Sequence, residues 1–201
     1  MKLLRLLALI WAATLAGLAA DKSFVIVLIG PTGSGKTTQA GFLQHRYGLP
    51  TISADDLIKE NPQALAKVQT PGIDPCPPQS SPALNQLVRD RLSKMDVKQG
   101  FVLDGYPATK DQGDHLAAMM KEMGLPQPIV IQLDVPDKVA RKRDKKRKRE
   151  DDTPAEIERR LKDYHREMDF VRLYYPEVNI HKIDGTRPIA EVSKAIEAVL
   201  R

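Results

Sequence analysis

Phe24–Gln39 reads FVIVLIGPTGSGKTTQ. Its first six residues are apolar and rich in β-branched side chains, the composition of a strand buried on both faces of a parallel sheet. Gly30 to Thr37 then follow the spacing G-x-x-x-x-G-K-[ST], and a helix is expected from Thr38 onward. A polyphosphate needs many donors converging on a small concavity. Gly33 and Gly35 permit the backbone angles that turn successive N–H groups inward, and their missing side chains let oxygens approach closely. The helix adds its unpaired N–H groups and the positive end of its dipole. Lys36 would reach the β- and γ-phosphates, and Thr37 would offer a hydroxyl to Mg²⁺. A Gly-rich turn between a core strand and a surface helix is the plainer reading. The strand–loop–helix setting that the motif requires favours binding of a nucleoside triphosphate.

The chain has 201 residues, enough for one domain with a substantial core. Hydrophobic residues make up 42% and charged ones 28%, which excludes a disordered tail. The net charge is a modest +5. Much of the basic excess lies between Arg141 and Arg149, which argues for a local anion site and against a general nucleic-acid coat. Cys76 is the single cysteine, so an internal disulfide framework and a four-cysteine zinc site are both excluded.

Taken in order, residues 1–20 stand outside the fold. Lys2 and Arg5 precede an apolar run from Leu6 to Ala20 that ends in small residues, the layout of a secretory signal peptide. Export to a periplasmic or extracellular compartment is expected, or membrane anchoring if the segment stays attached. A mis-assigned start would instead leave a cytoplasmic protein. After the loop helix, Gly48 and Pro50 act as breakers, Thr51–Ser53 reads as a short strand, and a helix is expected from about Leu57. A Pro-rich irregular excursion is expected from Pro62 to Gln79. Helices are expected over 83–95, 111–123, 135–146, from Pro154, and over 189–200. Strands are expected at 101–103, 129–133 and 180–183. Alternating strands and helices predict an α/β fold, a parallel sheet covered by helices on both faces.

Several segments in fixed order resemble the adenylate kinase group of nucleoside monophosphate kinases, and the resemblance covers nearly everything after Lys22. GPTGSGKTTQ, from Gly30, is similar to that family's phosphate loop, with Thr37 where Gly is usual. SADDLIK, from Ser53, is similar to the segment that opens a monophosphate-binding insert (53–82). FVLDGYP, from Phe101, matches the strand and turn that end in an acidic residue. Asp134 to Asp137 opens a short lid (138–152), and DGTRP, from Asp184, resembles the loop that holds the ATP base. The resemblance implies a three-layer P-loop fold and transfer of the γ-phosphate of ATP to AMP or a related monophosphate. It implies that Gly30, Thr32, Gly33, Ser34, Gly35, Lys36, Thr37, Thr38, Arg143 and Arg187 bind ATP. Lys36, Arg143, Arg147, Arg149 and Arg160 would act on the transferred group. Ser53, Asp56, Lys59, Gly105 and Gln112 would hold the acceptor, with Gln112 reading its base. Mg²⁺ would be held at Thr37 and Asp104. Nucleotides are the expected partners, with no nucleic acid, no membrane contact beyond residues 1–20, and a monomeric state.

Three positions depart from the family pattern. Ala108 and Lys59 stand where the family has arginines that grip the acceptor phosphate, and Ala54 stands where it has Thr. Lysine is a point charge without a bidentate fork, and alanine supplies no charge. The donor half therefore reads as intact and the acceptor half as altered. An exported ATPase and a non-catalytic nucleotide-binding protein stay open beside the kinase.

Overall fold

The computed structural model describes residues 23–66, 83–97, 99–147, 152–176 and 179–201. The leader expected at 1–20, residues 67–79 of the excursion expected from Pro62 to Gln79, with Cys76, and Arg149 lie outside the described residues.

Strand β1 (Phe24–Ile29) runs into the phosphate loop and helix α1 (Lys36–Tyr47). Next come β2 (Thr51–Ser53), α2 (Ala54–Glu60), the short α3 (Pro62–Ala66) and α4 (Ala83–Leu92). Strand β3 (Gly100–Asp104) and α5 (Lys110–Met123) follow, then β4 (Ile129–Asp134) and α6 (Asp137–Arg147). The chain closes with α7 (Pro154–Tyr174), β5 (Ile180–Asp184) and α8 (Ile189–Val199). All five strands are parallel, in the order β2-β3-β1-β4-β5. The chain therefore builds one side of β1 first and then crosses to the other. In such sheets the crevice at the carboxyl ends of the strands is where ligands bind.

Alternation along β1 divides the core into two layers. Val25, Val27 and Ile29 face Leu84 and Val88 of α4, Leu116 of α5 and Met168 of α7. Ile26 and Leu28 face Leu43 of α1 and Ile196 of α8. Both faces of the strand are thus buried, as its unbroken apolar run requires. The α7 stripe expected from sequence, Ile157, Leu161, Tyr164, Met168 and Val171, is buried throughout. Its first two residues join Val135 and Ala140 in a small third cluster beneath the lid helix.

Several boundaries differ from the sequence reading, each for a local reason. Helix α2 starts at Ala54, not near Leu57, because the Ser53 hydroxyl accepts from the Asp56 N–H and caps the chain a turn earlier. Asp55 and Asp56 then occupy the first turn, where the dipole favours negative charge. Helix α1 begins at Lys36, directly after Gly35. Pro62–Ala66 is helical where irregular chain was expected, with Pro at a position whose missing N–H is not needed. Among the described residues, no helix is long and apolar enough to cross a membrane.

Candidate active site

A cleft of about 1030 Å³ opens at the carboxyl ends of the strands, floored by the phosphate loop and by Asp104 and Gly105. That volume slightly exceeds the roughly 300–1,000 Å³ of a pocket for a single small molecule. One wall comes from α2, the other from α6 and α7, and the loop after β5 closes one end.

Within the phosphate loop, Gly33 has φ +70° and Gly35 φ +100°. A side chain on Gly33 would come within 2.8 Å of the Ala140 carbonyl, so the lid helix could not pack against the loop. At Gly35 the space around a Cβ is open, which leaves room for an anion at the N-terminus of α1. The Lys36 ammonium donates to the carbonyls of Gly30 at 2.7 Å and Pro31 at 3.3 Å, so its charge lies folded over the loop. Thr32, Ser34, Thr37 and Thr38 also line the cleft, with Thr37 and Thr38 exposed in the first turn of α1.

At the end closed by the loop after β5, Arg143 ties three segments together. Its Nη1 donates to the Gly185 carbonyl at 2.9 Å and to that of Gly33 at 3.4 Å, and Nη2 donates to Thr186 at 3.4 Å. The loop after β5 is itself ordered by Asp184, which accepts from the Thr186 hydroxyl at 2.6 Å and the Thr186 N–H at 2.9 Å. Those hydrogen bonds, more than the neighbouring Arg187, hold the Asp184 carboxyl below its ordinary range. Arg187 lines the cleft with its Nε 3.3 Å from Asp184.

The arginines of α6 and α7 alternate with carboxylates. Arg147 donates to Asp152 through Nη2 at 2.8 Å and Nε at 3.1 Å. Arg160 reaches the same carboxylate at 3.1 Å and Glu156 at 3.0 Å. Arg159 forms a forked pair with Glu156 and also donates to Asp163 at 2.5 Å. The Arg159 hydrogen bond is the largest of the influences lowering the Glu156 pKa. Charge-assisted forks of this kind fix guanidinium planes in place before a phosphate arrives.

On the side of α2 the structure brings Ser53, Lys59 and Gly105, the residues expected at the acceptor, into the cleft together with Asp55. Asp56, the carboxylate expected there, is exposed and lies outside the cleft wall. Gln112 is also outside it: fully buried, its Oε1 accepts from the Ala108 N–H at 2.8 Å. The Tyr106 hydroxyl donates to Asn85 at 2.9 Å and to the Gln112 carbonyl at 3.2 Å. Burial raises the Tyr106 pKa, so the hydroxyl stays a donor. Asp104 stands at the end of β3, paired with Leu28 of β1, and lines the cleft.

Sequence reading missed Glu167, a half-buried carboxyl on α7 that lines the cleft. Withdrawal from water pushes it up to about 7; Lys36 opposes the rise, and Asp163, Asp55 and Asp104 add to it. The signal was present in the helical spacing of Glu156, Arg160, Asp163 and Glu167, which share one face of α7. Sequence reading also missed the clamp between α1 and α8, where the Ser193 hydroxyl donates to Gln39 at 2.8 Å and Gln39 donates to the Ile189 carbonyl. Partners 154 residues apart leave no local signal.

A parallel sheet of this order, a Gly-Lys-Thr loop at the end of its central strand and arginines on a lid define a P-loop nucleotide-binding protein. The sequence family described as adenylate kinase matches residues 28–180. An adenylate kinase of Mesorhizobium japonicum is 34% identical over an alignment covering 87% of this chain and 96% of the relative. One from Micrococcus luteus is 37% identical, covering 85% and 87%. One from a Chelativorans species is 34% identical, covering 87% and 97%. The chain belongs to the adenylate kinase family.

Proposed function

We propose that this protein transfers the γ-phosphoryl group of ATP to the phosphate of AMP or a closely related nucleoside monophosphate. The observation that carries this reading is the convergence, on one cleft of about 1030 Å³, of the phosphate loop, Arg143, Arg147 and Arg160. Phosphoryl transfer spreads charge over equatorial oxygens, so it needs fixed positive charge and alignment more than covalent chemistry. Turned from the Gly30 and Pro31 carbonyls, the Lys36 ammonium would meet the β- and γ-phosphates. Arg147 and Arg160, already ordered by Asp152, would follow the transferring group, and Arg149 is assigned to the same task from the sequence resemblance alone. Arg143 and Arg187 would hold the donor base and ribose side, because both line the end of the cleft closed by the loop after β5. The lid also excludes water, which would otherwise compete as acceptor.

Ser53, Lys59 and Gly105 are assigned to the acceptor. Gln112 and Asp56 act on it only through a rearrangement, since one is spent on Ala108 and the other lies outside the cleft wall. Mg²⁺ suits the residues present: the exposed Thr37 hydroxyl in the first turn of α1 and the Asp104 carboxylate at the end of β3 are hard oxygen donors that line the same cleft. Among the described residues no cluster of three or more His, Cys, Asp or Glu forms a metal site. Two protein ligands accord with an ion carried mostly by phosphates and water. When bound, it would neutralise phosphate charge.

A coupled assay with ATP, Mg²⁺ and a panel of monophosphates tests the proposal. ADP formation that depends on AMP, and that a Lys36→Ala protein lacks, is expected. ATP consumption independent of every monophosphate would replace the kinase with an ATPase.

A further inference from the structure

The lid helix α6 carries a carboxylate that its packing does not call for. Asp144 is 0% exposed, and neither of its side-chain oxygens has a hydrogen-bond partner. It lies one turn beyond Ala140, which packs with Val135, Ile157 and Leu161, so an aliphatic residue would suit the same face. Taking a carboxylate out of water without hydrogen bonds is costly, and a fold gains little from it unless an opposite charge answers it. Among the described residues that charge is Arg147, whose Nη2 lies 3.0 Å from Asp144 Oδ1, an ion pair without hydrogen-bond geometry.

The position of the pair gives it a task. Asp144 Oδ1 lies against the phosphate loop, 3.0 Å from where a Gly33 Cβ would stand, and both Asp144 and Arg147 line the cleft. Arg147 Nη2 meets Asp144 Oδ1 at 3.0 Å and Asp152 Oδ1 at 2.8 Å, and its Nε also donates to Asp152. A guanidinium held by two carboxylates has few other places to go. A buried negative charge beside a phosphate site would, taken alone, repel the ligand that the loop is built to hold.

We propose that Asp144 is a positioning residue for phosphoryl transfer: it fixes Arg147 beside the phosphate loop, and Arg147 cancels its repulsion of the donor phosphates. This rests on Arg147 acting on the transferred group, as proposed above. The pair works as a unit, so the two single losses differ in kind. Without the carboxylate, Arg147 loosens and catalysis suffers while ATP still binds. Without the guanidinium, the donor phosphates meet an uncompensated buried charge, and ATP binding suffers as well.

The test is a double-mutant cycle on the full chain, Asp144→Asn and Arg147→Ala, read by steady-state kinetics and by calorimetric titration with ATP. Arg147→Ala is expected to lower kcat and weaken ATP binding about tenfold. Asp144→Asn is expected to lower kcat several-fold with ATP affinity nearly unchanged. In the double variant ATP affinity should return to within about threefold of the parent, while kcat stays as low as for Arg147→Ala. Asp144→Leu replaces the Asn variant if that one does not fold, with the same expected recovery. A double variant that binds ATP no better than Arg147→Ala overturns the proposal, and so does a kcat loss from Asp144→Asn that is equally large without Arg147. If Arg147→Ala leaves both kcat and ATP affinity unchanged, the transfer role of Arg147 falls and this inference falls with it. A failed recovery with kcat still reduced by Arg147→Ala removes this inference alone.

Discussion

On the donor side of the cleft, Lys36 and Arg143 bond to backbone carbonyls of the phosphate loop and the loop after β5. On the α7 side, Arg159 and Arg160 bond to the carboxylates of Glu156, Asp152 and Asp163, while Gln112, outside the cleft, is turned inward onto Ala108. The two halves therefore respond differently to substitution. A grip made from main chain survives most changes of side chain, because any residue supplies an N–H and a C=O. A grip made from side chains changes with each replacement, and Ala54, Lys59 and Ala108 are three replacements in one half. The adenylate kinase scaffold can thus keep its donor while its acceptor handling shifts.

The largest effect is expected at the point where the halves meet. Lys36→Ala should lower kcat by about 10²–10³, the loss typical of one preorganised charge-stabilising contact. Its cost in stability should stay below about 1.5 kcal/mol, because only two side-chain hydrogen bonds to carbonyls are lost. Steady-state kinetics and chemical denaturation read the two quantities separately. Arg160→Ala should lower kcat much more than it raises the KM for ATP, since it acts on charge that develops during transfer. An Arg160→Ala enzyme with unchanged kcat would move the clamp elsewhere.

The next effect sharpens the contrast from the acceptor side. Ala108 borders a groove of about 520 Å³ shared with Asp163 and Glu167, so the guanidinium introduced by Ala108→Arg would have carboxylates within its surroundings. Each charge-assisted bond to the acceptor phosphate is worth roughly 1.5–3 kcal/mol, which predicts a rise in kcat/KM for AMP of about tenfold or more. ATP affinity should hardly move. An unchanged kcat/KM would mean that another cation already serves the acceptor phosphate.

Gln112→Ala separates a structural from a recognising role. Loss of its bond leaves the Ala108 N–H buried without a partner, which costs about 1–3 kcal/mol of stability. A glutamine that only reads the acceptor base would raise the KM for AMP and leave the denaturation midpoint alone.

How much of this was legible in the sequence depended on the range of the interaction. The five strands and the phosphate loop were readable because apolar runs and the G-x-x-x-x-G-K-T spacing are local. The buried stripe from Ile157 to Val171 was readable because its period is helical. The start of α2 was missed because Ser53, which ends β2 as read, also caps the helix at once through a single hydroxyl. Asp144 was missed because nothing in a run of lysines and arginines marks one carboxylate as buried, and Gln39 was missed because Ser193 lies in the last helix. Asp56 and Gln112 were assigned by resemblance, and their surroundings here, one exposed and one enclosed, are set by packing that a motif does not encode.

The smallest effect concerns Glu167. Its carboxyl is raised from 4.5 to about 7 by withdrawal from water, so the folded protein holds this proton more tightly than the unfolded chain does. The stabilisation is full below the unfolded value near 4.5 and is lost as pH rises through about 7. Glu167→Gln should therefore become progressively more stable relative to the parent between those values, with the difference level above them. Thermal melts across that pH range read it, and a difference constant with pH would place the carboxyl in ordinary solvent.

Initial rates measured over a grid of ATP and AMP concentrations bear most directly on the contrast between the halves. AMP-dependent ADP formation is expected, with a KM for AMP about tenfold or more above that for ATP, because Ala108 and Lys59 would give the acceptor phosphate fewer charged contacts than the donor phosphates receive. A KM for AMP equal to or below that for ATP would contradict it.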